Sequence, residues 1–277
     1  MFEKLIQNSI RFVPWWIRGS IRTVPGVASV QRYLLKSCLE GREFNHIVDA
    51  GPAKGLKYPV LLPDDKGVWT GNYEVEFVNA LVAAVRPDDV CFDIGGWRGY
   101  CGGAMATHKA KNVFIFEPLP DNCRRIERLI SLNPNLPIHL VNAAVGASDG
   151  TATFSMLDAT SMGKLSNSPF QPEVRSEKSI TVAVLSLDSW RRTNNVQPPN
   201  VMKIDVEGAE VMVLQGAAET IKESRPTLFI ECHSRDLTRD VCIFLKPLGY
   251  RFKTLETRRD PDGHSEPEVC HLVAVCN

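Results

Sequence analysis

The sequence predicts an α/β fold: a mostly parallel sheet with helices on both faces and its last strand antiparallel, preceded by a helical and short-strand extension. Three observations carry this reading. From residue 88 onward, short apolar runs alternate with amphipathic stretches of helical period. The runs are continuously apolar rather than alternating, as strands buried on both faces must be. Polar or acidic residues close run after run, which puts ligand-binding chemistry at the carboxyl edge of the sheet.

In chain order, residues 1–45 read as helical and basic. Residues 1–40 hold six Lys or Arg and two Glu, formally +4, with Trp15 and Trp16 alongside. Such a segment suits packing on the main domain, or weak peripheral contact with an anionic membrane surface. Charges and Pro14 interrupt it, and no run reaches the ~18 apolar residues of a membrane span. Residues 46–72 read as short strands and turns, with "YPVLL" a strand and "PDDKG" a turn. "YEVEFVNALVAAVRP" carries Val78, Leu81, Val82 and Val85 at helical spacing and stops at Pro87. The extension is therefore 1–87 and the sheet domain 88–277.

Within the domain, "DVCFDI", "NVFIFE", "IHLVNAAV", "NVMKID" and "PTLFIE" are the strands, each followed by a helical stretch or a turn, and "RFKTLE" and "CHLVAVC" close the chain. Residues 150–182 break the rhythm. "TATFSM" and "SITVAVL" read as strands around a long polar loop, the kind of insertion that often serves as a lid.

Composition narrows the partners. Lys plus Arg is 32 and Asp plus Glu is 32, so the formal charge is zero. Neutrality argues against nucleic acid as the main partner. The eight cysteines form no Cys-x-x-Cys pair, which speaks against a zinc site and for buried thiols in a reducing, cytoplasmic setting.

The candidate site is at the strand ends. Asp93 is followed by Gly95, Gly96 and Gly99; Glu117 precedes Pro118; Asn142 and Ala143 follow the third strand; Asp205, Glu207 and Gly208 follow the fourth; Glu231 ends the fifth, with His233 two residues on. Glycines after the first strand allow close backbone approach, and a carboxylate after the second is placed to accept from ribose hydroxyls. A dinucleotide would call for Gly-x-Gly-x-x-Gly to hold its pyrophosphate, and no Gly-x-Gly occurs. An acid before the glycines instead suits an ammonium or sulfonium, which points to S-adenosylmethionine. "VDAGPAKGLKY" repeats the Asp-x-Gly-x-x-x-Gly spacing at Asp49, but a strand rather than a helix follows, so it reads as a turn.

Taken together, "VCFDIGGWRGY", "FIFEPLPDN", "VNAAVG", "LSLDSW", "VMKIDVEGAEVMVLQGA" and "RPTLFIECH" resemble the FkbM-type S-adenosylmethionine-dependent methyltransferases over about residues 46–276. The resemblance implies a Rossmann-like, class I methyltransferase sheet. It implies O-methylation of a hydroxyl on a sugar or secondary metabolite, a small-molecule or glycan acceptor, and S-adenosylhomocysteine as product. By the same resemblance, Asp93, Gly95, Gly96 and Gly99 border the methionine part. Glu117 holds the ribose and Asn142 and Ala143 lie by the adenine, while Pro118, Asp205 and Glu207 are counted with them as cofactor-binding residues. Tyr73 and Glu74 preface the domain on the substrate side, with Trp97 and Glu231. The family commonly has Ala-Asn where this chain has Gly96-Trp97, which opens a second reading: a catalytically impaired cofactor-binding module.

Methyl transfer to an alcohol needs a proton acceptor. His233 and Asp205 are the candidates, and catalysis by proximity alone is the other option. Lys203, inside an apolar strand, is expected to pair with one of the carboxylates. A magnesium held by Asp205, Glu207 and Glu231 is conceivable, but the spacing does not require it and no metal is expected.

Overall fold

The computed structural model describes residues 41, 43–156, 163–165, 179–261 and 266–276. They belong to two compact units. In the first, Met1–Phe44 with Val60–Lys66, the described chain makes a tight turn: Leu61 N donates to Asp65 Oδ2 (2.6 Å) and Asp65 N to Leu61 O (2.9 Å). The basic N-terminal segment lies outside the described residues.

The second unit, Asn45–Pro59 with Gly67–Asn277, carries the sheet. Strands β1 (Glu43–Ile47) and β2 (Lys57–Leu61) form a two-stranded sheet. The "VDAGPAKGLKY" stretch is the turn that joins them, closed by Gly55 N donating to Val48 O (2.8 Å). Helices α1 (Lys66–Thr70) and α2 (Val75–Ala84) follow, and α2 buries Phe77, Val78, Leu81 and Val82, the face its periodicity predicts.

Seven strands make the main sheet: β3 (Val90–Ile94), β4 (Asn112–Phe116), β5 (Ile138–Val141), β10 (Val201–Ile204), β11 (Thr227–Cys232), β12 (Tyr250–Thr254) and β13 (Cys270–Cys276). Their order is β12-β13-β11-β10-β3-β4-β5. Strands β11, β10, β3, β4 and β5 are parallel, while β13 runs antiparallel to both β11 and β12. The chain winds one way from β3 and the other way from β10, so the topological switch falls between them. That is where open α/β sheets bind ligands. Register brings the ends level: Ile94 pairs with both Phe116 and Ile204, and Ile204 with Ile230.

Helices α3 (Tyr100–Thr107), α4 (Pro120–Leu132), α5 (Leu187–Thr193), α6 (Glu210–Gly216), α7 (Ala218–Ser224) and α8 (Arg235–Leu245) complete the layers. Phe92, Ile94, Met202, Ile204, Leu228 and Ile230 are fully buried in one large core, each worth about 1.5–3 kcal/mol in removed apolar surface. The inserted segment is a second sheet, order β6-β9-β7-β8, of Ala144–Val145, Ser179–Leu185, Gly150–Met156 and Gly163–Leu165. "TATFSM" and "SITVAVL" pair antiparallel in it, as β7 with β9. Most of the loop between them lies outside the described residues.

Two features differ from the sequence reading. "IHLVNAAV" is not one strand: it turns after Val141, where Ala143 N donates back to Val141 O (2.9 Å), and its two halves join different sheets. The helical stretch after "NVMKID" is two helices, α6 ending at Gly216 and α7 starting at Ala218. A Cβ on Gly216 would lie 1.9 Å from Gly146 O, so the close approach of these two backbones dictates a glycine.

Candidate active site

The glycine loop after β3 is fitted to its surroundings by contact. Gly95 (φ +76°) packs where a Cβ would meet Asp205 O at 1.8 Å, and a Cβ on Gly96 would meet Ile115 Cγ2 at 2.0 Å. Both amides donate to Phe116 O (3.0 Å each), which stitches the loop to the end of β4. Gly96 is thus where the commoner alanine would collide with Ile115.

Asp93, fully buried, accepts from Gly102 N (2.7 Å) through Oδ2 and lies 3.4 Å from Lys203 Nζ through Oδ1. Lys203 Nζ also reaches Asp205 Oδ2 (3.1 Å) and donates to Gly95 O (2.7 Å). Burial alone would lower the lysine pKa, but Asp205 and Asp93 hold it well above its ordinary value, so it stays cationic. The pairing expected for Lys203 is therefore present, with two carboxylates and a carbonyl.

Glu117 is buried beside this loop. Its Oε2 accepts from Trp97 N (2.9 Å), and its Oε1 from Leu119 N (2.9 Å) and Asn122 Nδ2 (3.2 Å). Burial pushes its carboxyl up to about 7, against the pull of these hydrogen bonds. Trp97 sits at φ +48°, in the left-handed region that asparagine tolerates better than a bulky side chain. Its ring stacks on Tyr73 (centroids 5.7 Å, 15° between planes), and the Arg98 guanidinium lies 4.5 Å from its centroid. Tyr73 also meets Tyr100 edge-on at 5.2 Å. These contacts hold the Trp97 backbone in place in spite of its φ.

The other half of the edge is denser in charge. Buried His233 is anchored at Nδ1 by Glu210 Oε1 (2.7 Å), a fully buried carboxylate that also accepts from Gly208 N (3.0 Å). Its Nε2 points at Glu207 Oε2 (3.4 Å), Asp205 Oδ1 (3.7 Å) and Glu231 Oε1 (3.8 Å). Burial would lower the imidazole pKa. The Glu210 hydrogen bond and the charges of Asp205 and Glu207 outweigh it and raise the group to about 9.

Glu231 is pushed up to about 7, by burial first and by Asp205 next, with His233 and His271 pulling the other way. His271, its register partner on β13, faces it through Nε2 at 3.7 Å. The Glu207 backbone is left-handed (φ +53°), as is that of Glu74 (φ +38°) before α2. Positive φ at non-glycine residues recurs around this edge, where strain concentrates in functional sites.

The structure thus brings Asp93, Gly95, Gly96, Gly99, Trp97, Tyr73, Glu117, Lys203, Asp205, Glu207, Glu231 and His233 to the strand ends around the switch point. Ala143 is buried and Asn142 exposed one strand beyond Glu117, whose amide donates to Val141 O (3.1 Å). Among the described residues, Asn142 and Pro118 make no hydrogen bond or ion pair with the charged cluster. Sequence reasoning gave no role to Glu210, His271 or Glu256. For His271 a signal existed: an ionisable residue in the apolar run "CHLVAVC".

The edge combines a glycine loop, a buried carboxylate one strand over and a surplus of carboxylates beside a histidine. That suits a cofactor with a ribose and a cationic centre. The fit to S-adenosylmethionine rests on these donors and acceptors. Glu117 Oε2 carries one described hydrogen bond and so keeps capacity for a hydroxyl, and the Asp205–Glu207–Glu231 group offers charge for a sulfonium or ammonium.

The chain is similar to known methyltransferases. Residues 93–252 match the profile of the Methyltransferase FkbM domain. The hexuronic acid methyltransferase AglP of Haloferax volcanii is 29% identical over 189 residues, 68% of this chain and 74% of that protein. The 2-O-methyltransferase NoeI of Sinorhizobium fredii is 28% identical over 152 residues, 50% of this chain and 62% of its own length. Among solved structures, methyltransferase FkbM from Methylobacillus flagellatus matches with TM-score 0.48 at 18% identity, over 76% of this chain and 56% of that one.

Proposed function

Because this chain belongs to the FkbM methyltransferase family, and is thereby an S-adenosylmethionine-dependent methyltransferase, we propose that it methylates a hydroxyl of a sugar or sugar acid. The observation that carries the proposal is the histidine and carboxylate cluster at the carboxyl ends of β10 and β11, beside the glycine loop. AglP and NoeI, whose names specify a hexuronic acid and a 2-O position, support the acceptor class.

S-adenosylmethionine supplies an electrophilic methyl group on a sulfonium. The protein's part is to bind, orient and handle the proton. Gly95, Gly96 and Gly99 keep the loop low enough for close approach. Glu117 takes a ribose hydroxyl at Oε2, and Asp205 with Glu207 faces the cationic end. Asp93 acts from inside: it ties the start of α3 and Lys203 to the loop and so positions Asp205.

The acceptor hydroxyl loses its proton to His233 or Asp205. His233 near 9 is cationic at neutral pH, so as a base it must first release its proton. A cation held against the same carboxylates lowers the histidine pKa toward neutrality by like-charge repulsion, which would couple cofactor binding to base formation. Trp97, stacked on Tyr73 with the Arg98 guanidinium over its ring, forms an aromatic wall bordering the acceptor side.

The test is transfer of labelled methyl to a panel of free and glycosidic hexuronic acids and neutral hexoses. Turnover on a uronic acid or a 2-hydroxyl, abolished in His233→Ala or Asp205→Asn, is expected. Cofactor binding without transfer to any hydroxylated acceptor in a cell extract would favour the impaired binding module.

A further inference from the structure

The far side of Glu231 carries a constellation that the methyl-transfer chemistry does not use. His271, opposite Glu231 in the antiparallel β11–β13 pair, is held on three sides. Its Nδ1 is 2.6 Å from Glu256 Oε1, its amide donates to the same carboxylate (3.0 and 3.2 Å), and its ring lies 4.7 Å from that of Phe77. With Nδ1 bonded to a carboxylate, Nε2 is turned toward Glu231 Oε2 at 3.7 Å. That is too long for an N–H···O hydrogen bond, and Nε2 is a buried atom with no hydrogen-bond partner among the described residues. Glu74 brings a third donor, and one ligand atom each from Glu74, Glu231 and His271 lie within 4.8 Å of one another.

We propose that Glu74, Glu231 and His271 form a binding site for one divalent first-row transition cation, with Glu256 as the residue that orients the imidazole. A carboxylate on the far nitrogen of a ligating histidine is the usual orienting partner in such sites, fixing tautomer and ring direction. An ion with bonds of about 2.1 Å holds adjacent ligand atoms roughly 3.0–3.5 Å apart, so the 3.7 Å gap between His271 and Glu231 closes with a shift of a few tenths of an ångström, and Glu74, within 4.8 Å of both, closes by a side-chain rotation of up to about 1.5 Å.

Charge favours the same occupant. Glu74, Glu231 and Glu256 converge here, while the two buried cations of this edge are held by other carboxylates: Lys203 by Asp93, Asp205 and Gly95 O, and His233, 3.8 Å from Glu231 Oε1, by Glu210 at 2.7 Å. The neighbouring group of Asp205, Glu231 and His233 is the poorer host, because the Lys203 ammonium already sits 3.1 Å from Asp205. Imidazole among the ligands favours iron, nickel, copper or zinc over magnesium and calcium, and the two carboxylates also admit manganese. Three protein ligands leave coordination positions open. A sugar carboxylate or vicinal diol would fill them and so be presented beside His233. This last role rests on the proposed acceptor class; binding of the ion does not.

Manganese is the probe, since it avoids the thiols. The full-length protein, stripped with chelator, is titrated with Mn2+ while the free-ion electron paramagnetic resonance signal is followed, and S-adenosylmethionine binding is measured in parallel by calorimetry. One Mn2+ per chain is expected, weakened at least tenfold in His271→Ala and several-fold in Glu256→Gln, with cofactor binding retained. Glu74→Gln, outside the sheet, gives the same reading should His271→Ala fail to fold. No Mn2+ uptake by the wild-type chain, or uptake unchanged in both His271→Ala and Glu74→Gln, overturns the proposal. Mn2+ binding without cofactor binding would leave the ion site standing and count against the methyltransferase reading instead.

Discussion

The two halves of the sheet edge treat their carboxylates differently. On the side of β3 and β4, Asp93 and Glu117 receive short hydrogen bonds, 2.7 to 3.2 Å, from Gly102, Trp97, Leu119 and Asn122. On the side of β10, β11 and β13, Asp205, Glu207 and Glu231 face His233 at 3.4 to 3.8 Å. Short, aligned bonds fix a loop; longer charge pairs can be re-formed around a ligand at little cost. The first half is a hydrogen-bonded scaffold, and the second is an electrostatic cluster braced from beneath by Lys203 on Asp205 (3.1 Å) and Glu210 on His233 (2.7 Å).

This contrast predicts a gradient of effects. The largest falls on the scaffold: Gly95→Ala pushes a Cβ into Asp205 O at a positive φ, and urea denaturation is expected to show a loss of about 3 kcal/mol or an unfolded chain. A variant with wild-type stability would mean that the loop is not packed against Asp205.

Next comes the buried anchor of the charged half. Glu210→Gln replaces an ionised acceptor of His233 and should cost on the order of 1–3 kcal/mol at pH 6, with the difference shrinking in alkaline buffer. The sign follows from the raised pKa of His233. Its contribution to stability is fully present below its unfolded value near 6.5 and is lost as pH rises through about 9. Melting temperatures of the two proteins from pH 6 to pH 10 should therefore converge. A gap independent of pH would assign Glu210 a purely packing role.

A smaller effect is expected at the aromatic wall. Trp97→Asn restores a residue better suited to φ +48° but removes the stack on Tyr73; the two terms, each about 1 kcal/mol, should nearly cancel in stability. The acceptor KM should rise several-fold while cofactor affinity stays within about threefold. The smallest effect falls on Asp49→Ala in the β1–β2 turn, within about 0.5 kcal/mol and without effect on cofactor binding.

Much of this was legible in the sequence. Strands such as β10 read as apolar runs because both faces are buried, and Lys203 within that run announced its own counter-charges. The acidic strand ends were readable because carboxylates beside a core need a reason. What escaped depends on long-range pairing. Glu256 and His271 meet only after the antiparallel return of β13, and His271 faces Glu231 across 40 positions of sequence. The break of "IHLVNAAV" and the glycine of α6 are set by backbones that approach from elsewhere, Gly216 against Gly146. The exchange of Ala-Asn for Gly96-Trp97 opened a second reading from sequence, an impaired module; Ile115 and Tyr73 supply its physical setting.

Glu117 is proposed to hold the ribose of the cofactor, and the look-alike turn at Asp49 to play no part in binding it. Calorimetric titration of S-adenosylmethionine into the wild-type protein, Glu117→Ala and Asp49→Ala tests it directly. One site per chain is expected in the wild type, with at least tenfold weaker binding in Glu117→Ala and an unchanged isotherm in Asp49→Ala. Silence in the wild type, or equal affinity in a folded Glu117→Ala, would contradict it.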